Sequence, residues 1–302
     1  MGLLSRWLES LDYDYNILPH CSRHQSPRSS CTNCIDSCPE NAIQMVNGKP
    51  KINSTKCTEC GECVASCPIQ AVEGFLPKRS IINNQLIADD KKVPTQKELL
   101  AYYKKGVTTI VYQEQEITSE WAEIIRKVNR ILEKLGEEPF EVSSACVKAN
   151  QEEALTRREL FYSWGQDLKQ IAKDMTPAKW RFNHESLDIA KYYPNYQFVD
   201  ISLDTAKCTL CQACQKLCKK DALQISETDF TIVPQQCSDC GLCQDICPES
   251  AISIKKHISI AENVNHPVHE KVCCTCGKAF STLYEEQDMC MICRKRKEYA
   301  MV

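Results

Sequence analysis

The residues best suited to chemistry in this chain are its cysteines, which number 22 among 302 residues. Only Cys21 and Cys146 stand alone. The others fall into the groups Cys31, Cys34, Cys38; Cys57, Cys60, Cys63, Cys67; Cys208, Cys211, Cys214, Cys218; Cys237, Cys240, Cys243, Cys247; and Cys273, Cys274, Cys276 with Cys290, Cys293. Because Arg6 and Glu9 interrupt the opening residues, no secretory signal is predicted. We therefore expect the chain to lie in a reducing cytoplasm, where closely spaced cysteines usually bind metal.

The cysteine groups reveal an internal repeat. Adding 180 to the positions of seven cysteines lands on another cysteine in every case. Those seven are Cys31, Cys34, Cys38, Cys57, Cys60, Cys63 and Cys67. The same offset carries Gly61 to Gly241 and Pro68 to Pro248. So many coincidences indicate two copies of one unit, since a repeat keeps its ligands and turn residues in register.

Each complete group has the spacing C-x2-C-x2-C-x3-C. This spacing places three thiolates around one face of an iron–sulfur cube and directs the fourth to a second cube. Soft thiolates bind iron well, and the tight loop turns backbone N–H groups toward the sulfides. Four-thiolate zinc sites are the alternative, but zinc has no need of the third closely spaced cysteine. The groups therefore predict iron–sulfur clusters.

The stretches CTECGECVASCP and CSDCGLCQDICP resemble the bacterial-type ferredoxin family, which binds two [4Fe-4S] clusters. With both repeats counted, the chain is similar to a polyferredoxin with two dicluster units. The resemblance implies a β-α-β-β-α-β arrangement, electron transfer between clusters, and ligands crossed within each unit. The ligand sets that it implies are set 1 (Cys31, Cys34, Cys67 and a fourth ligand), set 2 (Cys38, Cys57, Cys60, Cys63), set 3 (Cys208, Cys211, Cys214, Cys247) and set 4 (Cys218, Cys237, Cys240, Cys243).

The fourth ligand of set 1 does not follow from the repeat, because the equivalent position is Arg28, which cannot bind iron. Cys21 can fold back across the segment SRHQSPRSS, His20 or His24 can bind instead, or the cluster can contain three irons. We favour Cys21, because thiolate is the usual ligand and the connecting segment is short.

The residues that follow Cys218 depart from the family pattern. Cys218 is followed by Lys219 and Lys220, whereas Cys38, Cys67 and Cys247 are each followed by proline. Positive charge near a cluster favours its more negative reduced form. We therefore expect set 4 to have the higher potential of the two sets in the second repeat. The alternative is that the lysines are solvated surface charges.

The C-terminal segment VCCTCGKAFSTLYEEQDMCMICRKRK carries two C-x2-C pairs separated by thirteen residues. The pairs are Cys273 with Cys276 and Cys290 with Cys293, here called the ribbon set. Their spacing resembles a zinc ribbon, in which four thiolates hold one zinc ion. Rubredoxin-type iron is the alternative, but its second pair normally carries proline and glycine, and CMICR has neither. Cys274 is spare, although it can replace Cys273 as a ligand.

Two further features flank the ribbon set. His266 and His269 lie upstream of it, and the basic run Arg294–Lys297 follows it. We expect both histidines to face solvent. The basic run is short and lacks interleaved aromatic residues, which favours a solvated helix end or a docking contact over a nucleic-acid site. The net charge of −3 also argues against bulk attraction to nucleic acid.

Between the repeats the sequence predicts a β-α-β unit. Thr95–Lys104 has a helical pattern, and Val107–Tyr112 reads as a buried strand. Thr118 begins a long amphipathic helix that Gly136 ends, and Phe140–Cys146 reads as a second strand whose cysteine is buried. Residues 156–175 are predicted to form another amphipathic helix. No phosphate-binding glycine motif is present, so no nucleotide site is predicted.

The expected fold class is α+β, with two ferredoxin-like dicluster units separated by a mixed α/β spacer domain and followed by a small zinc ribbon. The expected segments are 1–19 (an N-terminal amphipathic helix), 20–85 (unit 1), 86–200 (the spacer), 201–258 (unit 2) and 259–302 (the ribbon with its basic tail). No segment has the roughly 18 consecutive apolar residues that a membrane span needs. The N-terminal helix is expected to pack on unit 1, or to dock on a partner or on the inner membrane surface.

These features predict a cytoplasmic electron-transfer protein with about four [4Fe-4S] clusters and one zinc ion. It would be the relay subunit of a larger oxidoreductase, with redox-enzyme subunits as electron donor and acceptor. No catalytic residue is predicted, because every informative motif is a metal-ligand motif. The alternative is a redox sensor that binds nucleic acid or a protein through the ribbon and its basic tail. A carrier that passes clusters to apo-proteins is a weaker alternative.

Overall fold

The computed structural model describes residues 15–89, 93–112, 117–144 and 187–299. The predicted N-terminal helix lies outside these residues except for positions 15–19, where Asn16–Ile17 forms a strand, β1. Cys146 and the predicted helix over 156–175 also lie outside them. The described ranges include the other 21 cysteines, none of which forms a disulfide.

Unit 1 alternates short strands and helices around its cysteines. After β1 come α1 (Ser22–Gln25), α2 (Asn33–Asp36), β2 (Ile43–Val46), β3 (Lys49–Ile52), α3 (Glu62–Ser66) and β4 (Val72–Glu73). β1 pairs with β4 and β2 pairs with β3, both antiparallel. Ile17, Ile43 and Val72 are buried together with several of the cysteines. Helices this short are unstable alone, so packing on this core holds them in place.

The spacer contributes most of a four-stranded sheet. Its elements are β5 (Ile81–Ile82), β6 (Gln85–Ile87), α4 (Gln96–Lys104), β7 (Thr109–Tyr112), α5 (Ser119–Lys134) and β8 (Glu141–Ser144). The strand order is β5-β6-β7-β8, with β6, β7 and β8 parallel and β5 antiparallel to β6. Because α5 connects the parallel neighbours β7 and β8, the predicted β-α-β unit is confirmed.

The amphipathic pattern of α5 explains how it packs. Its buried side chains recur at helical spacing and face the sheet. They are Trp121, Ile125, Val128 and Leu132. Thr118 is the N-cap, and the chain leaves the helix through Gly136, whose φ of +71° favours glycine. Among the described residues, no helix is both long and apolar enough to cross a bilayer.

Unit 2 repeats the element order of unit 1 with longer outer strands. After α6 (Ile189–Tyr192) come β9 (Tyr196–Leu203), α7 (Ala213–Leu217), β10 (Leu223–Ile225), β11 (Asp229–Ile232), a 3-10 turn (Pro234–Gln236), α8 (Leu242–Ile246) and β12 (Ile252–Ile260). β9 pairs with β12 and β10 pairs with β11, both antiparallel. Phe230, Ile232 and Val199 are buried at the centre of this unit.

The last elements are β13 (Val264–Pro267), β14 (His269–Val272), β15 (Ala279–Thr282) and α9 (Met291–Tyr299). β14 and β15 form an antiparallel hairpin. β13 instead pairs with β11 of unit 2. Strand pairing therefore crosses the expected boundary at residues 258 and 259. The boundary at residues 85 and 86 is crossed in the same way, since β6 spans it and β5 precedes it.

Candidate metal centres

Set 2 is assembled from both halves of unit 1. Cys57 and Cys60 lie in the loop before α3, Cys63 lies on α3, and Cys38 follows α2. Burial, followed by the charges of neighbouring thiolates that include the other three of set 2, raises the pKa of the Cys63 thiol to about 12. All four thiols line one cavity. The structure therefore brings the four residues of set 2 together.

Cys21 lies with the other three thiols of set 1. Burial raises the pKa of Cys34 to about 12, and the next contributions come from the thiolates of Cys67, Cys21 and Cys31. Cys21 is itself buried, whereas Arg28, at the repeat position of the missing ligand, is exposed. Of the alternatives for the fourth position, the geometry favours Cys21. Its ligation of iron stays a prediction.

Side-chain hydrogen bonds fold the segment after Cys21 back on itself. Arg23 donates from Nε to the carbonyl oxygen of Cys31 at 2.8 Å. The buried Ser26 accepts from the Arg28 N–H at 3.2 Å, and the buried Ser29 accepts from the Cys31 N–H at 3.4 Å. These bonds close the loop, so that a cysteine ten residues away in the chain lies beside Cys31.

The four thiols of set 3 line one cavity in unit 2. Burial, together with the thiolates of Cys208, Cys211 and Cys247, raises the pKa of Cys214 to about 12. Cys211 is exposed to solvent, so this set has one thiol at the protein surface.

Set 4 is the more buried of the two sets in unit 2. Burial raises the pKa of Cys237 to about 12 and also raises that of Cys243. The thiolates of Cys240 and Cys218 raise the pKa of both. All four thiols line one cavity, which Ile69 of unit 1 also lines.

The three complete cysteine loops, which begin at Cys57, Cys208 and Cys237, share a backbone conformation. Positive φ angles recur within C-x2-C pairs, before the following helix and after the last cysteine. These residues are Glu59, Leu210, Asp239; Gly61, Gln212, Gly241; and Asn41, Gln70, Asp221, Ser250. Left-handed residues turn successive N–H groups toward one side, which suits an anionic ligand. At Gly61 glycine is required, because a Cβ would lie 2.4 Å from the carbonyl oxygen of Phe75.

The last cysteine of each group is here called its corner cysteine; the four are Cys38, Cys67, Cys218 and Cys247. Three of them accept a backbone hydrogen bond on sulfur. The N–H groups of Ala42, Ala71 and Ala251 donate to the sulfurs four residues earlier, at 3.3, 3.1 and 3.2 Å. In the described part of the chain, the equivalent bond from Ala222 to Cys218 is absent. Hydrogen bonds to thiolate sulfur stabilise added negative charge. The corner without proline therefore has a different electrostatic environment.

The ribbon set is compact enough to hold one ion. Its four sulfurs lie within 4.8 Å of one another, and the Cys276 and Cys290 sulfurs are 3.9 Å apart. Tetrahedral zinc with bonds of about 2.3 Å separates its sulfurs by roughly 3.8 Å. Within the described ranges, no other group of three or more metal-ligating side chains meets this spacing. The four thiols of sets 1 to 4 are too widely spaced for a single ion and suit a larger inorganic group.

The hydrogen bonding of the ribbon set also suits a metal. Backbone N–H groups lower the pKa of Cys273 to about 6, chiefly that of Cys290, which donates to its sulfur at 3.3 Å. Burial instead raises the pKa of Cys293 to about 12. Cys274 is exposed, and its sulfur lies 3.7 Å from the Thr275 hydroxyl. The compact group therefore uses Cys273 and leaves Cys274 outside. The upstream histidines do not belong to it either.

The basic tail contacts unit 2 through α9. Arg294 donates from Nη1 to the carbonyl oxygen of Ala206 at 3.3 Å, and Lys295 Nζ lies 2.5 Å from Glu249 Oε1. Ala206 precedes the first cysteine of set 3, and Glu249 follows the last. Arg294 and Lys295 are therefore engaged in a contact with unit 2 of the same chain. Docking of the basic run on a partner stays a prediction.

A buried charge network lies beside set 2, and only part of it has a sequence signal. Arg79 lies 3.0 Å from the fully buried Glu98 of α4 and 3.1 Å from Glu62, which lies between Cys60 and Cys63. Glu98 also accepts from the Thr95 N–H at 2.7 Å, which completes a capping box. Only the pairing of Thr95 with Glu98 at capping-box spacing was detectable in the sequence. The network fastens the cysteine loop to the spacer.

Comparison with known families identifies both repeats. Residues 28–71 match the 4Fe-4S dicluster domain, and residues 230–253 match the 4Fe-4S binding domain. The first match contains seven cysteines of sets 1 and 2, and the second contains the group Cys237–Cys247. No curated protein matches the chain. The chain thus carries ferredoxin-type 4Fe-4S domains, which confirms the prediction of iron–sulfur binding and supports a role in electron transfer.

Proposed function

We propose that this chain is an electron relay with four [4Fe-4S] clusters, held in pairs by unit 1 and unit 2. Sets 1 to 4 would each hold one cluster through four thiolates, with Cys21 completing set 1. Bound clusters of this type accept and release single electrons. One observation carries the proposal. In each of sets 2, 3 and 4, the four thiols line a cavity of their own.

The ribbon set would hold one zinc ion with a structural role. Support comes from its four sulfurs lying within 4.8 Å of one another, with no open position for a substrate. A closed four-thiolate site stabilises a small fold that lacks a large core. Rubredoxin-type iron has the same geometry, so the metal content distinguishes the two proposals.

The chain would serve as a subunit of a larger oxidoreductase, with other redox subunits as electron donor and acceptor. We place it in the cytoplasm, with a peripheral contact at the inner membrane surface as one way of docking. A regulatory role through nucleic-acid binding is less well supported, because Arg294 and Lys295 are engaged with unit 2.

Anaerobic purification with metal analysis and EPR spectroscopy tests this function. A relay should contain about sixteen irons, or about fifteen with one three-iron centre, and about one zinc. Its signals should disappear and return on reversible oxidation and reduction. A colourless preparation that contains only zinc would overturn the proposal. Salt-dependent binding of nucleic acid that changes with oxidation state would favour the regulatory alternative.

A further inference from the structure

Unit 1 and unit 2 meet through a hydrogen-bonded contact beside their cysteines. The Ser30 N–H donates to Asp245 Oδ2 at 2.6 Å, and the Ser30 hydroxyl donates to the two carboxylate oxygens at 2.9 and 3.1 Å. Ser30 precedes Cys31 of set 1, and Asp245 lies two residues after Cys243 of set 4. The contact therefore joins the loops of these two sets.

A residue of unit 1 also closes the cavity of set 4. Ile69 lines that cavity together with all four thiols of the set. It lies two residues after Cys67, a member of set 1. A loop that carries a thiol of set 1 therefore also lines the cavity of set 4.

Ser22 provides a second link between the same two sets. It follows Cys21 directly, is 1% exposed, and its hydroxyl forms no hydrogen bond of normal geometry with the described residues. Burial raises the pKa of Cys240 in set 4, and the neighbouring Ser22 hydroxyl opposes that rise. An unpartnered buried hydroxyl is costly, so a group on the set 4 side that accepts a hydrogen bond from it would satisfy it.

Within each unit, one thiol of each set lies near the other set. Cys34 of set 1 and Cys63 of set 2 pack in one apolar cluster. In unit 2, Cys214 of set 3 also lines the cavity of set 4. Set 2 therefore lies beside set 1, and set 3 lies beside set 4.

Resting on the proposed function, we infer that electrons cross between the two units where Ser22 and Ile69 meet set 4, so that the sets are used in the order 2, 1, 4, 3. Each crossing removes one electron from the group held by set 1 and adds one to the group held by set 4. No bond is made or broken and no proton is released. Ser22 is a positioning residue that donates a hydrogen bond to the Cys240 sulfur when negative charge accumulates there.

The order is tested by EPR spectroscopy of the fully reduced chain. In Cys34→Ala, which disrupts set 1, the signal from set 4 should lose its spin–spin splitting with set 1. In Cys60→Ala, which disrupts set 2, the splitting between sets 1 and 4 should persist. A set 4 signal that is unchanged in Cys34→Ala, with iron retained at sets 2, 3 and 4, would overturn the inference. Absence of clusters from the unmodified chain would instead refute the proposed function.

A conservative variant keeps the test independent of folding. Ser22→Ala should lower the reduction potential of set 4, because it removes the donor, and should leave set 3 unchanged. The matched control is Ser202→Ala, which changes the serine at the equivalent repeat position, whose exposed hydroxyl contacts Ser253 at 2.7 Å. A set 4 potential that is equal in Ser22→Ala and the unmodified chain would contradict the assigned role of Ser22.

Discussion

Unit 1 and unit 2 surround their thiols with the same elements but complete their sets differently. In unit 2 the first thiol of set 3, Cys208, belongs to the same loop as Cys211. In unit 1 the equivalent position is the exposed Arg28, and the buried Cys21 lies beside Cys31 at the start of α1. Both units thus have a fourth thiol beside the other three of the set, but in unit 1 that thiol comes from a different place in the chain.

The two units also differ in what is attached to them. Unit 1 is fastened to the spacer through Arg79, which contacts both Glu62 and Glu98. Unit 2 is fastened to the C-terminal segment. β13 pairs with β11, and α9 contacts a residue before the first cysteine of set 3 and a residue after the last. The spacer also packs on unit 2, where Tyr196 and Ile258 lie against its core. Loss of the ribbon should therefore affect unit 2 most, whereas loss of the Arg79 salt bridges should affect unit 1 most.

The largest effect should follow from loss of the ribbon metal. Cys293→Ala removes a buried thiol of the ribbon set, where we propose a zinc ion, and structural zinc contributes about 10–16 kcal/mol to the folding of small zinc domains. We expect zinc to be lost and amide exchange to rise sharply in β13, β14 and β15, with smaller increases in β10 and β11. Exchange in unit 1 should not change. Metal analysis and hydrogen exchange by mass spectrometry measure these effects.

Cys274→Ala is the matched control for the ribbon. The exposed Cys274 lies outside the compact group, so this variant should keep its zinc and its exchange pattern. Loss of zinc from Cys274→Ala, or its retention in Cys293→Ala, would show that the wrong thiols have been assigned to the ribbon.

Disruption of the buried charge network should produce the converse result. Glu98→Ala leaves the Arg79 guanidinium buried with one carboxylate fewer, and breaking a buried ion pair typically costs about 3–5 kcal/mol. We expect a lower midpoint in anaerobic urea unfolding followed by the fluorescence of the buried Trp121. Exchange should rise most around α4 and α3, and less in unit 2, which packs on the far side of the same core.

The control for this variant is Glu123→Ala on α5. Glu123 forms an exposed ion pair with Lys127 at 2.5 Å, and exposed pairs of this kind contribute little to stability. Its unfolding midpoint should match that of the unmodified chain. Equal midpoints for Glu98→Ala and Glu123→Ala would mean that the network does not fasten unit 1 to the spacer.

The position of Cys21 gives the next largest effect. In Cys21→Ala we expect about fifteen irons in place of about sixteen, because a cluster with three thiolates readily loses its unligated iron. The EPR spectrum should gain the signal of an oxidised three-iron centre. His20→Ala and His24→Ala should retain full iron content. If Cys21→Ala kept all its iron while a histidine variant lost some, set 1 would be completed by that histidine.

Ligand spacing explains how much of these sites could be predicted from the sequence. A C-x2-C pair joins residues within one loop, so the thiols of each group were recognisable without any knowledge of the fold. The β-α-β unit was predictable for a similar reason, because α5 carries its own periodic apolar pattern and cap. Cys21 could be predicted as a ligand because the segment that joins it to Cys31 is short.

Contacts between distant segments could not be predicted in this way. Ile69 lies in the cavity of set 4, and Ser30 contacts Asp245, although more than 140 residues separate the partners in each case. The pairing of β13 with β11 likewise depends on an exposed strand edge that any compatible segment can occupy. No spacing rule links such residues, so only the folded chain brings them together.

The smallest effect should come from the lysines after Cys218. Lys220 is paired with Asp188 at 2.6 Å, and Lys219 is exposed, so water and salt screen its charge. Lys219→Glu should lower the potential of set 4 slightly, and more at low ionic strength, because it removes a positive charge that favours the reduced form. Lys207→Glu, beside Cys208, should instead affect set 3.

An EPR-monitored redox titration that shows no shift in Lys219→Glu at low ionic strength would identify these lysines as solvated charges. The potential of set 4 would then depend on its hydrogen bonds, of which Cys218 lacks the one that its three counterparts accept.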